Sequence, residues 1–458
     1  MAGPRRFKRY PEYKDSRVEW LGEIPAHWNV RRLRSTVTSC QNGVWGDEPD
    51  GIHDIPCVRV ADFDRVGFRV NMGDPTLRSI EPRVMSARRL RSGDLLLEKS
   101  GGGERQPVGA VVLYGQDIAA VCSNFVARLA VADGYSPRFL TYLHATLYAL
   151  RVNTRHIKQS TGIQNLDSTS YLSEATGLPD AKEQRAIAAF LDCETAKIDA
   201  LVAKKERLIG LLQEERTAII TRAVTKGLDV NAPMKDSGVE WLGEIPAHWE
   251  CFAIARVTLS RCDGPFGSGL KSEHYAAAGV RVVRLQNIDW SEFSDLDKAF
   301  IDETYAKQLG DHSVIAGDLL IAGLGDEGHP VGRACVAPEG IEPAMVKADC
   351  FRFRLDQRRI LPRFAAYLLS ATASATAGAL STGATRSRMN LTATAGRKVA
   401  VPPCIEQRAI VELLDRNGES FQALMRRIRG AIDRLKELRT ALISAAVTGK
   451  IDVREEVE

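Results

Sequence analysis

"KDSRVEWLGEIPAHW" occupies residues 14–28, and "KDSGVEWLGEIPAHW" occupies residues 235–249. The two phrases differ at one position and stand 221 residues apart, and matching segments follow at a nearly constant offset. "RSGDLLL" (91–97) returns as "IAGDLLI" (315–321), "PRFLTYL" (137–143) as "PRFAAYL" (362–368), and "STG" (160–162) at 381–383. "PDAKEQRAIAAFLD" (179–192) returns as "PPCIEQRAIVELLD" (402–415), and "TAIITRAVTKGLDV" (217–230) as "TALISAAVTGKIDV" (440–453). One unit is therefore present twice. The opening and closing segments match closely, whereas 30–178 and 251–401 share only a thin skeleton of glycines, GDLL strands and one helix. A fixed frame carrying two diverged inserts predicts one mechanical task performed on two different targets.

Composition bounds the rest. A chain of 458 residues exceeds one ordinary core and predicts two to four domains. With 44% hydrophobic and 26% charged residues it reads as globular. The net charge of +4 permits nucleic acid as a partner without arguing for it. Nine scattered cysteines, never spaced C-x-x-C, argue against a zinc ribbon or disulfide framework and for reduced thiols in the cytoplasm. The basic N-terminus "MAGPRRFKRYPEYK" is followed by no apolar stretch, so it does not read as a signal peptide. No apolar run reaches the length of a membrane span.

The closing segments of each copy predict long helices. From Glu183 to Lys226 and from Glu406 to Lys450 there is no proline, and apolar residues return at heptad spacing. In the second copy the seam runs Ile410, Leu414, Asn417, Phe421, Leu424, Ile428, Ala431, Leu435, Leu438, Leu442. The same register in the first copy gives Ile187, Leu191, Ile198, Leu201, Leu208, Leu212 and Ile219. Prolines upstream (Pro179, Pro402, Pro403) and glycines at the ends (Gly227, Gly449) bound both segments. A helix of about 40 residues is roughly 60 Å long. Two such narrow apolar seams predict a paired rod; two separate amphipathic helices, each on its own domain, are the alternative.

The inserts read as mixed α/β. Short valine-rich runs such as "PVGAVVLY", "FVARLAV", "VRVVRLQNI" and "CFRFRL" predict strands, and "SPRFLTYLHATLYAL" and "LPRFAAYLLSATAS" predict helices that begin on proline. Each helix precedes a polar loop, "NTRHIKQSTGIQNLDS" or "TGATRSRMNLTAT". Arginine, glutamine and asparagine are the side chains that meet guanine and adenine edges in the major groove, and basic ones also neutralise phosphates. A solvated loop is the plainer reading of either one alone; recurrence in both halves favours a binding role.

Catalytic motifs are absent. There is no G-x-x-x-x-G-K-[ST] loop, and the eight histidines form no H-E-x-x-H. "KSGGGERQ" (99–106) reads as a loop. Asp94, Glu98 and Lys99 in "GDLLLEKS" faintly resemble a metal-dependent nuclease centre, but the second copy has "GDLLIAGL" and lacks the last two, so a polar strand end is the simpler reading. His27 and His248 in the doubled "PAHW" predict a structural hydrogen bond beside Trp28 and Trp249.

The doubled "VEWLGEIPAHW", the GDLL strands, the doubled "EQRAI" and the closing "AVTKGLDV" and "AVTGKIDV" together resemble the specificity subunit of type I restriction–modification enzymes over nearly the whole chain. "DGPFGSGLKSEHY" (263–275) with "VRVVRLQNI" (280–288) looks like the opening of that family's target recognition domain, where the first insert instead has "CQNGVWGDEPDGIHDIPCVRVADF". The resemblance implies an α+β fold. Two mixed α/β target recognition domains are separated by a long antiparallel two-helix coiled coil, in an internal duplication with pseudo-two-fold symmetry. The frame would comprise 1–28, 181–230, 231–250 and 404–458, and the recognition domains 29–180 and 251–403. It further implies a cytoplasmic, non-catalytic chain with no membrane contact that reads a split sequence on double-stranded DNA and docks two methylation subunits. Restriction (motor and nuclease) subunits complete some assemblies of that family. S-adenosylmethionine, ATP and Mg are expected on those partners, and no cofactor or metal in this chain. A related enzyme with methylation and cleavage in one separate polypeptide is the alternative, followed by a stand-alone nuclease or scaffold. The residues expected to touch DNA are Lys99, Arg105, Gln106, Arg155, Lys158, Gln159, Gln164 and Asn165 in the first domain. In the second they are Ser268, Lys271, Arg284, Gln286, Asn287, Arg386, Arg388 and Asn390.

Overall fold

The computed structural model describes residues 7–160, 162–265, 269–326, 328–375 and 387–456. The chain divides into two compact units, one formed by residues 1–205 with 429–458 and the other by 206–428.

Unit 1 opens with a small hairpin, Tyr13–Asp15 against Glu23–Pro25, built from the doubled phrase. Its main sheet has six strands in the order Val37–Asn42, Val126–Val131, Leu95–Glu98, Val111–Leu113, Arg69–Val70, Phe63–Asp64. The GDLL strand Leu95–Glu98 lies inside this sheet and is buried throughout, Leu95–Leu97 as an apolar run and Glu98 held by Arg65. Helix Pro137–Ala149 starts on proline, is capped by the Ser136 hydroxyl accepting from Phe139 N, and packs Phe139, Leu140, Leu143 and Leu147 into the core.

Unit 2 repeats the first four of these strands in the same order: Thr258–Cys262, Cys350–Leu355, Leu319–Ala322, Ala334–Val336. Helix Pro362–Ala371 takes the place of Pro137–Ala149. A second sheet has five strands, Tyr275–Ala276, Phe300–Ile301, Val280–Val283, Ala344–Val346, Ser313–Val314, and its middle three match a three-stranded sheet of unit 1, Leu77–Ser79, Asp54–Val58, Val121–Cys122.

The "CQNGVW" and "DGPFGSG" openings, so unlike in sequence, share one structural constraint. A Cβ on Gly43 would stand 2.0 Å from the Cys122 carbonyl oxygen, and one on Gly264 2.2 Å from the Lys347 carbonyl carbon. Only glycine permits either backbone crossing.

The long helices run Ala181–Lys226 and Cys404–Val447, and Gly227 and Gly449 follow them with positive φ of 74° and 72°. Within unit 1, Ile187, Leu191 and Ile198 share a core with Leu442, Ile443, Ala446 and Val447, and Arg439 grips Asp199 at 2.9 Å. Within unit 2, Ile220, Ala223 and Val224 share a core with Ile410 and Leu414. In both units the start of one helix meets the end of the other. The expected seam is corrected at several positions. Ile187, Leu191, Ile198, Ile410, Leu414, Ile428 and Leu442 are buried, but Leu201, Leu208, Leu424 and Leu438 are more than 40% exposed, while Met425 and Ile432 are buried instead. A helix of 3.6 residues per turn drifts away from a strict 3.5-residue repeat, which carries heptad positions off the packed face.

The doubled motifs meet in space. The Glu183 carboxylate of "EQRAI" accepts from Trp28 Nε1 (3.1 Å), His27 Nε2 (2.8 Å) and Tyr10 OH (2.7 Å). Glu406 accepts from Trp249 Nε1 (3.2 Å) and His248 Nε2 (2.8 Å). The following glutamine clamps the insert helix: Gln184 Oε1 accepts from Ser136 N, and Gln407 Oε1 from Leu361 N. A third pair of contacts locks the same helices. Asp192 accepts from Arg138 Nε (2.6 Å) and Tyr142 OH (2.7 Å), and Asp415 from Arg363 (2.8 Å) and Tyr367 OH (2.6 Å). These bonds explain why the phrase, the PRF helix and EQRAI recur as a set.

Candidate nucleic-acid interface

In unit 1 the polar loop after helix Pro137–Ala149 forms a hairpin, Ile157–Ser160 against Ile163–Leu166. The segment after the GDLL strand adds a third strand, pairing Ser100 with Asn165 and Gly101 with Gln164. Strand alternation sends Ser100, Lys158 and Asn165 to one face, where Lys158 and Asn165 are exposed. Ser100 Oγ donates to Asn165 Oδ1 at 2.5 Å, and Lys158 Nζ to Asp167 at 2.8 Å, which holds the Asp167 carboxyl below the usual range. Lys99 donates to Asn42 Oδ1 (2.6 Å), so it is tethered at the root of the same loop.

Arg105 and Gln106 are exposed beside a polar cavity of about 820 Å³ lined also by Gly102, Gly103, Arg65 and Glu98. Gln159 is exposed but pairs with Gln164, on the hairpin face opposite Lys158 and Asn165, and Arg155 is exposed near Glu19 at 3.5 Å. One expectation fails here. Gln164 is only 8% exposed, and its Oε1 accepts from Val108 N, so it carries backbone rather than facing a base. The hairpin register points it inward with Leu166.

In unit 2 the corresponding segments are again neighbours. Leu324 bridges Arg388, and Gly325 N donates to Ser387 O, so the stretch after the GDLL strand lies beside the polar loop. Arg388 is exposed and its guanidinium pairs with Asp349 at 3.0 Å. Asp349 N donates to Asp263, whose carboxyl is pushed up to about 6 by burial, with Asp349 adding like charge. Asn390 caps helix Leu391–Gly396 through Ala393 N. Arg284 and exposed Gln286 both engage Asp297, Gln286 at 2.7 Å. Lys271 is exposed beside Glu273. Asn287 is a second correction: it is fully buried, accepting from Arg284 N and donating to the Ser294 and Asp297 carbonyls. Ser268 and Arg386 lie outside the described residues.

Reading residue types missed the acceptors that hold these cations, namely Asn42, Asp297 and Asp349. They come from distant strands, and only the fold brings them in. It also missed Ser100, whose strand position beside Asn165 has no signal in the chain. The nuclease-like trio is dispersed among other partners. Asp94 binds Arg128 at 2.6 Å, Glu98 is held by both oxygens to Arg65 at 2.9 Å, and burial pushes its carboxyl up. Among the described residues no group of three or more His, Cys, Asp or Glu side chains is placed to hold a metal ion, and no helix is long and apolar enough to cross a membrane.

No protein-family model matches the chain. It is 20% identical over 451 residues to the type I restriction enzyme StySPI specificity subunit of Salmonella potsdam, covering 95% of this chain and 92% of that one. It is 21% identical over 458 residues to the putative type I restriction enzyme MjaX specificity subunit of Methanocaldococcus jannaschii, covering 97% and 98%. Among solved structures, the HsdS subunit of Thermoanaerobacter tengcongensis superposes with a TM-score of 0.52 at 16% identity, covering 93% of this chain and 98% of that one. A chain from a study of complex assembly and conformational transition of the type I R-M system superposes with a TM-score of 0.68 at 15% identity, with the same coverage. By sequence over nearly its whole length and by fold, the relatives of this chain are the specificity subunits of type I restriction enzymes.

Proposed function

We propose that the chain is the DNA-specificity subunit of a type I restriction–modification complex, a non-catalytic reader of a bipartite target. The observation that carries this reading is the repeated juxtaposition in both units. The segment after the GDLL strand is hydrogen-bonded to the polar loop after the PRF helix, at Ser100–Asn165 in one unit and at Leu324–Arg388 in the other. Each unit then presents cations and amides, the side-chain types that meet base edges and phosphates, from backbone-paired segments. Lys99, Arg105, Gln106, Arg155, Lys158, Gln159 and Asn165 serve one half-site. Lys271, Arg284, Gln286, Arg388 and Asn390 serve the other, with Ser268 and Arg386 joining them from the sequence reading.

The inserts 29–180 and 251–403 are the recognition domains in this reading. The two long helices form an antiparallel coiled coil that sets the spacer between half-sites. The half-exposed Leu201, Leu208 and Leu211 of the first helix, and Leu424 and Leu438 of the second, support a role for the helices in docking methylation subunits. Two such subunits dock on the duplicated frame, bringing S-adenosylmethionine, and restriction subunits add ATP-driven cleavage.

Co-expression with a methylation subunit in an unmethylated host, followed by genome-wide mapping of N6-methyladenine, tests this. A split motif with a constant gap is expected; a stable complex that methylates no motif refutes it. Arg388→Ala should relax one half of the motif only.

A further inference from the structure

The two copies of the frame differ sharply just after the doubled phrase. Residues 29–36, "NVRRLRST", carry Arg31, Arg32 and Arg34 and no acid, a charge of +3. Residues 250–257, "ECFAIARV", carry Glu250 and Arg256, with Arg359 beside Glu250 and the exposed Lys398 on the paired strand. The backbone is nevertheless the same in both: strand Asn29–Arg32 pairs with Ala175–Leu178, and strand Glu250–Ala253 with Lys398–Val401. At the position of Arg31 the second copy has Phe252, which is buried, and Glu250 there has Arg359 at 3.6 Å.

Arg31, Arg32 and Arg34 are all exposed, and none has a side-chain partner among the described residues. The carboxylate nearest along the paired backbone, Glu174, is occupied by His156 Nε2 at 2.7 Å. Arg31 and Arg32 leave opposite faces of the strand and Arg34 follows in the next turn, so the three spread positive charge around this edge, and no carboxylate among the described residues pairs with them. Their backbone abuts the reader segment, since Leu33 N donates to Glu174 O and Arg34 N to Leu172 O. Leu172 and Glu174 directly follow the hairpin 157–166 and the short helix Ser168–Tyr171.

We propose that Arg31, Arg32 and Arg34 form a phosphate-contacting surface of unit 1, outside the base-reading loops. The ligand is the sugar–phosphate backbone of duplex DNA beside one half-site, contacted without regard to sequence. This rests on the specificity-subunit reading above. Arginine suits the role because its planar donor fork matches phosphate oxygens and stays charged. Contacts of this kind add affinity and salt dependence but carry no base information.

The test uses the complex with its methylation subunits and two duplexes, one bearing the mapped motif and one scrambled. Each phosphate contact on B-DNA contributes about 0.9 to the slope of log K against log salt. Arg31→Ala/Arg32→Ala/Arg34→Ala should therefore lower the slope by about 2 to 3 on both duplexes. The methylated motif should not change, and the triple lysine variant should restore most of the slope. An unchanged slope, with wild-type and variant complexes both binding DNA, overturns the proposal. Loss of methylation-subunit binding in the alanine variant, with retention in the lysine variant, overturns it too and makes the surface a protein-docking site. If the wild-type complex fails to prefer its motif, the specificity reading itself fails, and this proposal with it.

Discussion

The glutamate that joins the doubled phrase to the long helix gives the sharpest stability prediction. In unit 1, Glu183 accepts from three donors, and two of them, Tyr10 and Trp28, are buried at 3% and 0% exposure. Glu183→Ala leaves a phenol and an indole N–H without partners in a dry site. Each orphaned buried group costs about 1–3 kcal/mol, while water can reach the half-exposed His27. The loss should therefore be about 3–5 kcal/mol. In unit 2 there is no tyrosine equivalent, and Glu406 is itself a quarter exposed, so Glu406→Ala orphans only the Trp249 indole and should cost about 1–2 kcal/mol. Urea unfolding gives both numbers, and hydrogen exchange at the starts of the two long helices assigns each loss to its unit. Glu183→Gln keeps one acceptor oxygen and should recover about half of the loss. An equal cost for the two alanine variants, or a cost below 1 kcal/mol for Glu183→Ala, refutes the argument.

Other outcomes follow from the same geometry. Gly43→Ala and Gly264→Ala each drive a Cβ into backbone at about 2 Å, and each should destabilise its own unit by 3 kcal/mol or more, read as a shifted denaturation midpoint. Burial raises the Asp263 carboxyl to about 6 in the folded chain, above its unfolded value. Its contribution to stability is therefore full at low pH and is lost as pH rises through about 6. Asp263→Asn keeps an oxygen to accept from Asp349 N. After discounting for solvent it should gain on the order of 1 kcal/mol at pH 8 and nothing at pH 4, measured by unfolding at both values. Asp192→Ala and Asp415→Ala each free an arginine–tyrosine pair, and each should cost about 2–3 kcal/mol by the same assay.

The frame was legible because its signals are local. Proline before and glycine after each long helix, and the doubled phrases themselves, needed no knowledge of distant residues. The hydrogen bond expected for His27 and His248 beside the tryptophans is present, and its acceptor is the doubled glutamate. What escaped depends on register and on strands far apart in the chain. Gln164 and Asn287 have base-reading chemistry, but a hairpin pleat and a tight turn point them inward. The likeness of the two insert openings survives only as Gly43 and Gly264, because it is a backbone crossing and not a side-chain pattern. The heptad reading failed at Leu424 and Leu438 because a repeat counted in sevens outruns the true pitch of the helix.

A frame written twice has a hidden ambiguity. If the chain reads DNA as proposed, a duplex meeting two copies of one frame could lie along them in either direction until its bases are read. On the proposed reading, Arg31, Arg32 and Arg34, which the second copy replaces with Phe252, Ala253 and Ala255, would remove that equivalence at long range. Such a field would favour one approach of the duplex before any groove is entered, and would fade as salt shortens its reach to about 10 Å at 0.1 M. Like backbone with unlike charge would then give such a reader a polarity along its target.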